Sequence, residues 1–168
     1  MKKNNKLAIV LFAFLVITSA VFGLFFLFRE RAKPSQDKST FPLSSEFYEH
    51  GEFRNIDSTE FAKLIEQKKS FVVVARMLTC PSGMPMATNS ETVSAEEEIT
   101  ILSLYQDQFK ETELARTVKY LPSAAIYEKG KLVAWLDAES DNDLQYYQSP
   151  EGFKNWLEQY INLDAPNE

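Results

Sequence analysis

The chain of 168 residues holds one cysteine, in the stretch Leu78-Thr79-Cys80-Pro81-Ser82-Gly83, where an apolar run gives way to proline, serine and glycine. A thiol does chemistry as its thiolate, which attacks disulfides and binds soft metals. With no second cysteine there is no internal disulfide to make, and a mixed disulfide formed by Cys80 would need an outside thiol to resolve it. Cys80 then has two readings: a small half-buried hydrophobe without redox work, or a monothiol that exchanges disulfides with a partner.

The other groups with chemical potential point elsewhere. His50 is the only histidine and stands beside Gly51, with no cysteine near it in sequence, so it reads as a turn residue. Met84 and Met86 near a thiol would suit Cu(I), but methionines on an apolar segment read first as packing. Glu96 to Glu98 and Asp137 to Asp143 lack the alternating ligands and turn glycine of a calcium loop and read as solvated surface. No metal and no other cofactor is expected. Tyr146 and Tyr147 with Trp135 read either as part of a partner surface or as cover for the last helix.

These groups must be positioned by the elements around them. Asp57 is a good N-cap with Glu60 three residues on, as in a capping box, and Ile56 and Phe61 take the staple positions. A helix is expected from there to about Lys68, with Phe61, Leu64 and Ile65 on one stripe. Residues 71–76, FVVVAR, read as a strand covered on both faces, and residues 99–105, ITILSLY, as another. A strand near Phe53 to Ile56 would add an edge. The segment from Met84 to Glu98 has Pro85 near its start and few apolar residues, so an irregular loop is expected, with Ser94 and Glu97 capping a separate short turn. Leu114, Ala115 and Val118 mark a helix, residues 123–127 a strand, and KLVAWL after the 128–131 turn the returning half of a hairpin. Ser149 and Pro150 open a last helix carrying Phe153, Trp156, Leu157, Tyr160 and Ile161, which stops before Pro166. The order implies an α/β sandwich: a mixed central sheet with helices on both faces and an antiparallel final hairpin.

Residues 1–6 form a short basic terminus, and residues 7–28 are 22 positions without a charged side chain. Roughly 20 apolar residues span a bilayer as a helix, whereas a signal-peptide core is about 7 to 15. A retained single-pass anchor is therefore expected, with the bulk of the chain outside the cytoplasm. Residues 29–51 mix charge, proline and serine, as a flexible linker would. Residues 52–163 make up the folded domain, and residues 164–168 a tail. From Pro34 onward there are 12 basic and 23 acidic side chains, a net of −11. Such a surface is repelled by phosphate backbones, which argues against nucleic-acid binding.

A strand ending in Cys80-Pro81-Ser82-Gly83, then a strand, a helix, and Tyr120-Leu121-Pro122 opening a strand that turns at Lys129-Gly130, resembles the thioredoxin fold. Cys80 precedes Pro122 by 42 residues and Pro122 precedes Gly130 by eight, intervals that suit the family. The resemblance covers roughly residues 52–163. It implies that Cys80 opens a helix opposite a cis-proline loop, where unpaired N–H groups and the helix dipole favour thiolate. Thr79, Pro81, Leu121 and Pro122 would then line a groove that holds an extended peptide, the Leu121 backbone pairing with it. The departures are as informative: Gly83 replaces the second cysteine, Thr79 the tryptophan before the motif, and Val74 the buried acid six residues upstream. A membrane-anchored, single-cysteine domain of this kind is also loosely similar to the bacteriocin accessory proteins of Gram-positive bacteria. The expected function is a binding or accessory module for secreted or membrane proteins, with monothiol exchange through Cys80 as the alternative.

Overall fold

In a computed structural model of the protein, residues 40–78 and 85–164 are described. The apolar stretch 7–28 lies outside them, and no helix among the described residues is long and apolar enough to cross a membrane.

The elements in chain order are β1 (Phe41–Pro42), a 3-10 turn (Ser45–Phe47), β2 (Phe53–Asn55), α1 (Ser58–Glu66), β3 (Phe71–Arg76), α2 (Met86–Glu96), β4 (Ile101–Tyr105) and α3 (Gln106–Lys110). A second 3-10 turn (Glu113–Arg116), β5 (Ser123–Glu128), β6 (Lys131–Trp135), α4 (Leu144–Tyr147), α5 (Pro150–Leu157) and β7 (Ile161–Asn162) complete them. The main sheet runs β2-β4-β3-β5-β6: parallel between β2, β4 and β3, antiparallel from β3 through β6. This is the mixed sheet implied by the sequence order.

β3 is buried at every position from Phe71 to Ala75, so neither face of the sheet centre meets water. Its first residue carries the densest packing. The Phe71 ring stacks on Tyr127 at 4.9 Å with planes 2° apart, and Phe61 of α1 meets both rings edge-on at 5.9 and 5.6 Å. Asp57 caps α1 by accepting the Glu60 amide at 2.7 Å. The Glu60 carboxylate does not return to the cap, because Arg54 donates to it at 2.6 Å.

Four sequence expectations need correction. The linker expected over residues 29–51 is folded from Phe41 onward: Leu43, Phe47 and Tyr48 are buried, and β1 pairs in parallel with β7. Tyr48 locks this arrangement, its hydroxyl accepting the Leu43 amide at 2.8 Å and donating to the Asn162 carbonyl at 2.7 Å. No periodicity announced it because these side chains reach the core from a two-residue strand and a single 3-10 turn. For the same reason Ile161 belongs to β7 and not to the last helix, which ends at Leu157.

The segment expected to be irregular contains an 11-residue helix, α2. Its buried face is largely small and polar, which an apolar-stripe reading misses: Asn89, Ser90 and Ser94 are buried beside Met86 and Val93. Each polar group is satisfied. Ser90 donates to the Met86 carbonyl at 2.7 Å, Ser94 to the Ile99 carbonyl at 2.6 Å, and Asn89 Nδ2 to the Tyr147 carbonyl at 2.9 Å. Ser94 thus closes the C-terminal end of α2 and caps no separate turn. Finally, the helix marked by Leu114, Ala115 and Val118 is only a 3-10 turn, preceded by the short α3.

Candidate functional site

Of the expected site residues, Thr79, Cys80 and Pro81 lie outside the described residues, as do Ser82, Gly83 and Met84. The scaffold on either side is described. Ala75 near the end of β3 is the register partner of Ser123 at the start of β5. The chain therefore leaves β3 towards Cys80 beside the point where Leu121 and Pro122 enter β5. The Leu121–Pro122 bond is cis. Pro122 is buried, and Leu121 is half-buried against the core.

Two large apolar side chains stay in water at this end of the two central strands. Leu78, the last described residue before Cys80, is 85% exposed, and Tyr120, just before Leu121, is 48% exposed. Beside Tyr120 is a recess of about 60 Å³ lined by Thr117 to Tyr120 and by Trp135, Leu136 and Asp137. The Tyr120 phenol is held above its ordinary pKa by its hydrogen bond with Glu139 and by that group's charge.

Val74 sits where the resemblance would have a buried acid. It is fully buried between its register partners Ser103 and Ala124, so these three positions offer no carboxylate to move a proton. Pro85 occupies the N-cap of α2 without a side-chain cap, and no acidic residue stands in the first turn. The start of α2, three residues after Gly83 in sequence, thus keeps its positive end unneutralised by α2's own side chains.

Arg76 is a residue that sequence reasoning passed over as the polar end of a strand. Its Nε donates to Ser103 Oγ at 2.8 Å, and its Nη2 to the Tyr105 hydroxyl at 2.9 Å and to Asn55 Oδ1 at 3.1 Å. The guanidinium lies 4.4 Å from the Tyr105 ring centre and 5.2 Å from that of Phe53. Among the described residues it has no carboxylate partner. A fixed cation, without a carboxylate among the described residues, thus stands four residues before Cys80 in sequence. The signal was there only in pairs: parallel register brings Phe53, Asn55, Ser103 and Tyr105 round it from strands distant in sequence.

Under the start of β5 is an unusual tyrosine. Tyr147 is 1% exposed, and its hydroxyl has no hydrogen-bond partner among the described residues. Ser123 is close enough to ease its ionisation slightly but gives its proton to the Leu136 carbonyl at 2.6 Å. Burial, then the charges of Asp143 and Asp137, raise the phenol's pKa well above its ordinary value. Removing the orphaned hydroxyl in Tyr147→Phe is expected to leave stability unchanged or raise it by up to about 1 kcal/mol. A urea midpoint that falls by more than that would mean the hydroxyl is paired after all.

Met86 is fully buried, as packing requires, and among the described residues no group of three His, Cys, Asp or Glu side chains converges as a metal site would need. His50 is exposed in the turn before β2.

No family model matches the chain, and no curated protein matches it in sequence. Solved structures do match. The oxidised thioredoxin of Plasmodium falciparum is 17% identical and covers 66% of this chain and all of its own length, with a TM-score of 0.50. The reduced thioredoxin pre-protein of Schistosoma mansoni is 16% identical over 66% of this chain and 99% of its own, at 0.49. A thioredoxin variant from Halobacterium salinarum is 16% identical over 68% and 95%, also at 0.49. At such identities the likeness speaks for the backbone alone, and with the strand order and crossover pattern above it establishes that residues of this chain form a thioredoxin-like α/β fold.

Proposed function

We propose that the protein is a membrane-anchored, extracytoplasmic thioredoxin-like module that holds an extended segment of a secreted or membrane protein at the groove of Thr79, Cys80, Pro81, Leu121 and Pro122. The observation that carries this reading is the pair of exposed apolar side chains, Leu78 and Tyr120, on the two loops that leave the sheet side by side. Exposed apolar groups of this size are what a bound extended peptide covers, its main chain supplying affinity and alternate side chains the specificity. Val74 and Gly83 both weigh against a dithiol reductase, since one removes the proton acceptor and the other the resolving sulfur. Anchoring rests on the uncharged stretch 7–28.

A second reading, monothiol exchange, draws on Arg76, four residues before Cys80 in sequence, and on the uncapped start of α2, since positive charge next to a thiol favours its thiolate. In that step the Cys80 thiolate attacks a partner disulfide, forms a mixed disulfide and releases the partner's other sulfur as thiolate; an external thiolate then attacks the partner's sulfur in the mixed disulfide, releasing Cys80 as thiolate and remaining disulfide-bonded to the partner. Cys80→Ser separates the two. A binding module should recover the same partners in pull-down after this change, at closely similar yield. Complete loss of recovery, together with loss of partner-linked bands on a non-reducing gel, would sink the binding reading in favour of exchange.

A further inference from the structure

A larger recess opens on the other side of Trp135, between the end of β6, the loop before α4, and the helices α4 and α5. It is an open depression of about 470 Å³, room for a small organic ion or a long side chain. Four aromatic residues line it, Trp135, Tyr146, Trp156 and Tyr160, and these include both tryptophans of the chain. Trp135 is 42% exposed and Trp156 only 3%, so one indole stands as an open wall and the other as a floor. The floor is held firmly: Phe153 stacks on Trp156 at 5.9 Å and Tyr160 meets it at 6.0 Å. The Tyr146 hydroxyl accepts from Gln159 Nε2 at 3.1 Å, which ties α4 to the turn that follows α5.

The charged groups in the lining have one sign, beside the neutral amides of Asn142, Gln145 and Gln159. Asp141 and Asp143 contribute carboxylates, and no lysine or arginine lines the recess. Asp143 is fixed in place, its Oδ2 accepting the Asp137 amide at 2.8 Å. Its field reaches the aromatic wall: burial first, then Tyr146 and Asp143, keep the Tyr160 phenol from ionising at its ordinary pH.

This combination selects a ligand class by exclusion. An anion or a phosphate would meet two carboxylates with no compensating cation. A hydrated metal ion gains little from ring faces, and two acids are too few to replace its water. A neutral apolar molecule would have to strip water from both carboxylates without return. An organic cation is attracted by ring quadrupoles and carboxylates together, and its alkyl groups need no hydrogen bonds. We propose that this recess binds an alkylammonium group, either a free quaternary amine or the head of a lysine side chain, with Trp135, Tyr146 and Trp156 around it and Asp141 and Asp143 balancing its charge.

Because both tryptophans border the recess, intrinsic emission of the full chain reports its occupancy. The probes are tetramethylammonium, capped lysine methylamide, and neopentyl alcohol as the uncharged isostere, all at matched ionic strength. A saturable change with either cation and none with the alcohol is expected. Stronger binding of tetramethylammonium identifies a free amine as the source, and stronger binding of the capped lysine a peptide. Trp135→Leu should weaken the cation about tenfold, read through Trp156. Asp141→Asn should cause a smaller loss that fades at high salt. A response that stays linear in probe concentration, equal binding of the alcohol, or an unchanged affinity in Trp135→Leu would each overturn the proposal. None of these results depends on Cys80, so the outcome is independent of how the Cys80 site functions.

Discussion

Phe71→Ala is expected to destabilise the domain by about 3–5 kcal/mol, the cost typical of emptying a buried aromatic site. The ring is wholly buried and touches three others, Phe47, Phe61 and Tyr127, so no single neighbour can fill the space by a rotamer change. Against a whole-domain stability of about 5–15 kcal/mol, such a loss is a large fraction of the total. The measurement is a urea unfolding curve. Its midpoint should fall sharply while the slope stays near that of the parent, because the same surface is exposed on unfolding. Phe71→Leu, which keeps most of the volume, should lose markedly less. A loss below about 1 kcal/mol in the alanine variant would mean that the rings collapse onto the vacancy.

Gly130→Ala carries the second-largest expected effect, for a different reason. Gly130 turns the β5–β6 hairpin at φ +75°, and a Cβ built there would stand 2.5 Å from the Ile65 carbonyl oxygen at the end of α1. That oxygen is backbone, and it already accepts the Lys68 amide at 3.0 Å, so it has little freedom to retreat. The Gly130 amide is also committed, donating to the Lys69 carbonyl at 2.8 Å. A left-handed conformation costs a non-glycine residue about 1–2 kcal/mol, and overpacking a tight contact costs about as much again. A combined loss of about 2–4 kcal/mol is expected in the unfolding midpoint. A neutral result would show that the hairpin and α1 can part without penalty.

Both predictions concern the frame that carries the site, and much of that frame is legible in one dimension. β3 announces itself through four consecutive β-branched or aromatic residues, α1 through Asp57 and its stripe, and α5 through Ser149, Pro150 and three apolar residues at helical spacing. Each is long or strongly patterned enough for local rules to decide. The fold class follows from the order of such elements. α2 escapes the same rules because its buried face is serine and asparagine, whose burial depends on acceptors elsewhere, among them the Tyr147 carbonyl 58 residues away. The folding of Leu43 to Tyr48 escapes for a like reason, since its partners Ile161 and Asn162 lie at the other end of the domain.

For the site, sequence named Cys80, Leu121 and Pro122 as candidates and excluded an internal dithiol, because the absence of a second cysteine is a fact of composition. It could not identify Arg76 as a cation without a carboxylate among the described residues, nor the recess that joins Trp135 to Tyr146, Trp156 and Tyr160. Those depend on register between strands and on how α4 and α5 cross the end of β6. Local propensity and hydrophobic pattern act within a few residues and settle which elements form. Charge, hydrogen bonding and aromatic contact act across space, so which of these groups meet is decided only once the chain has closed on itself.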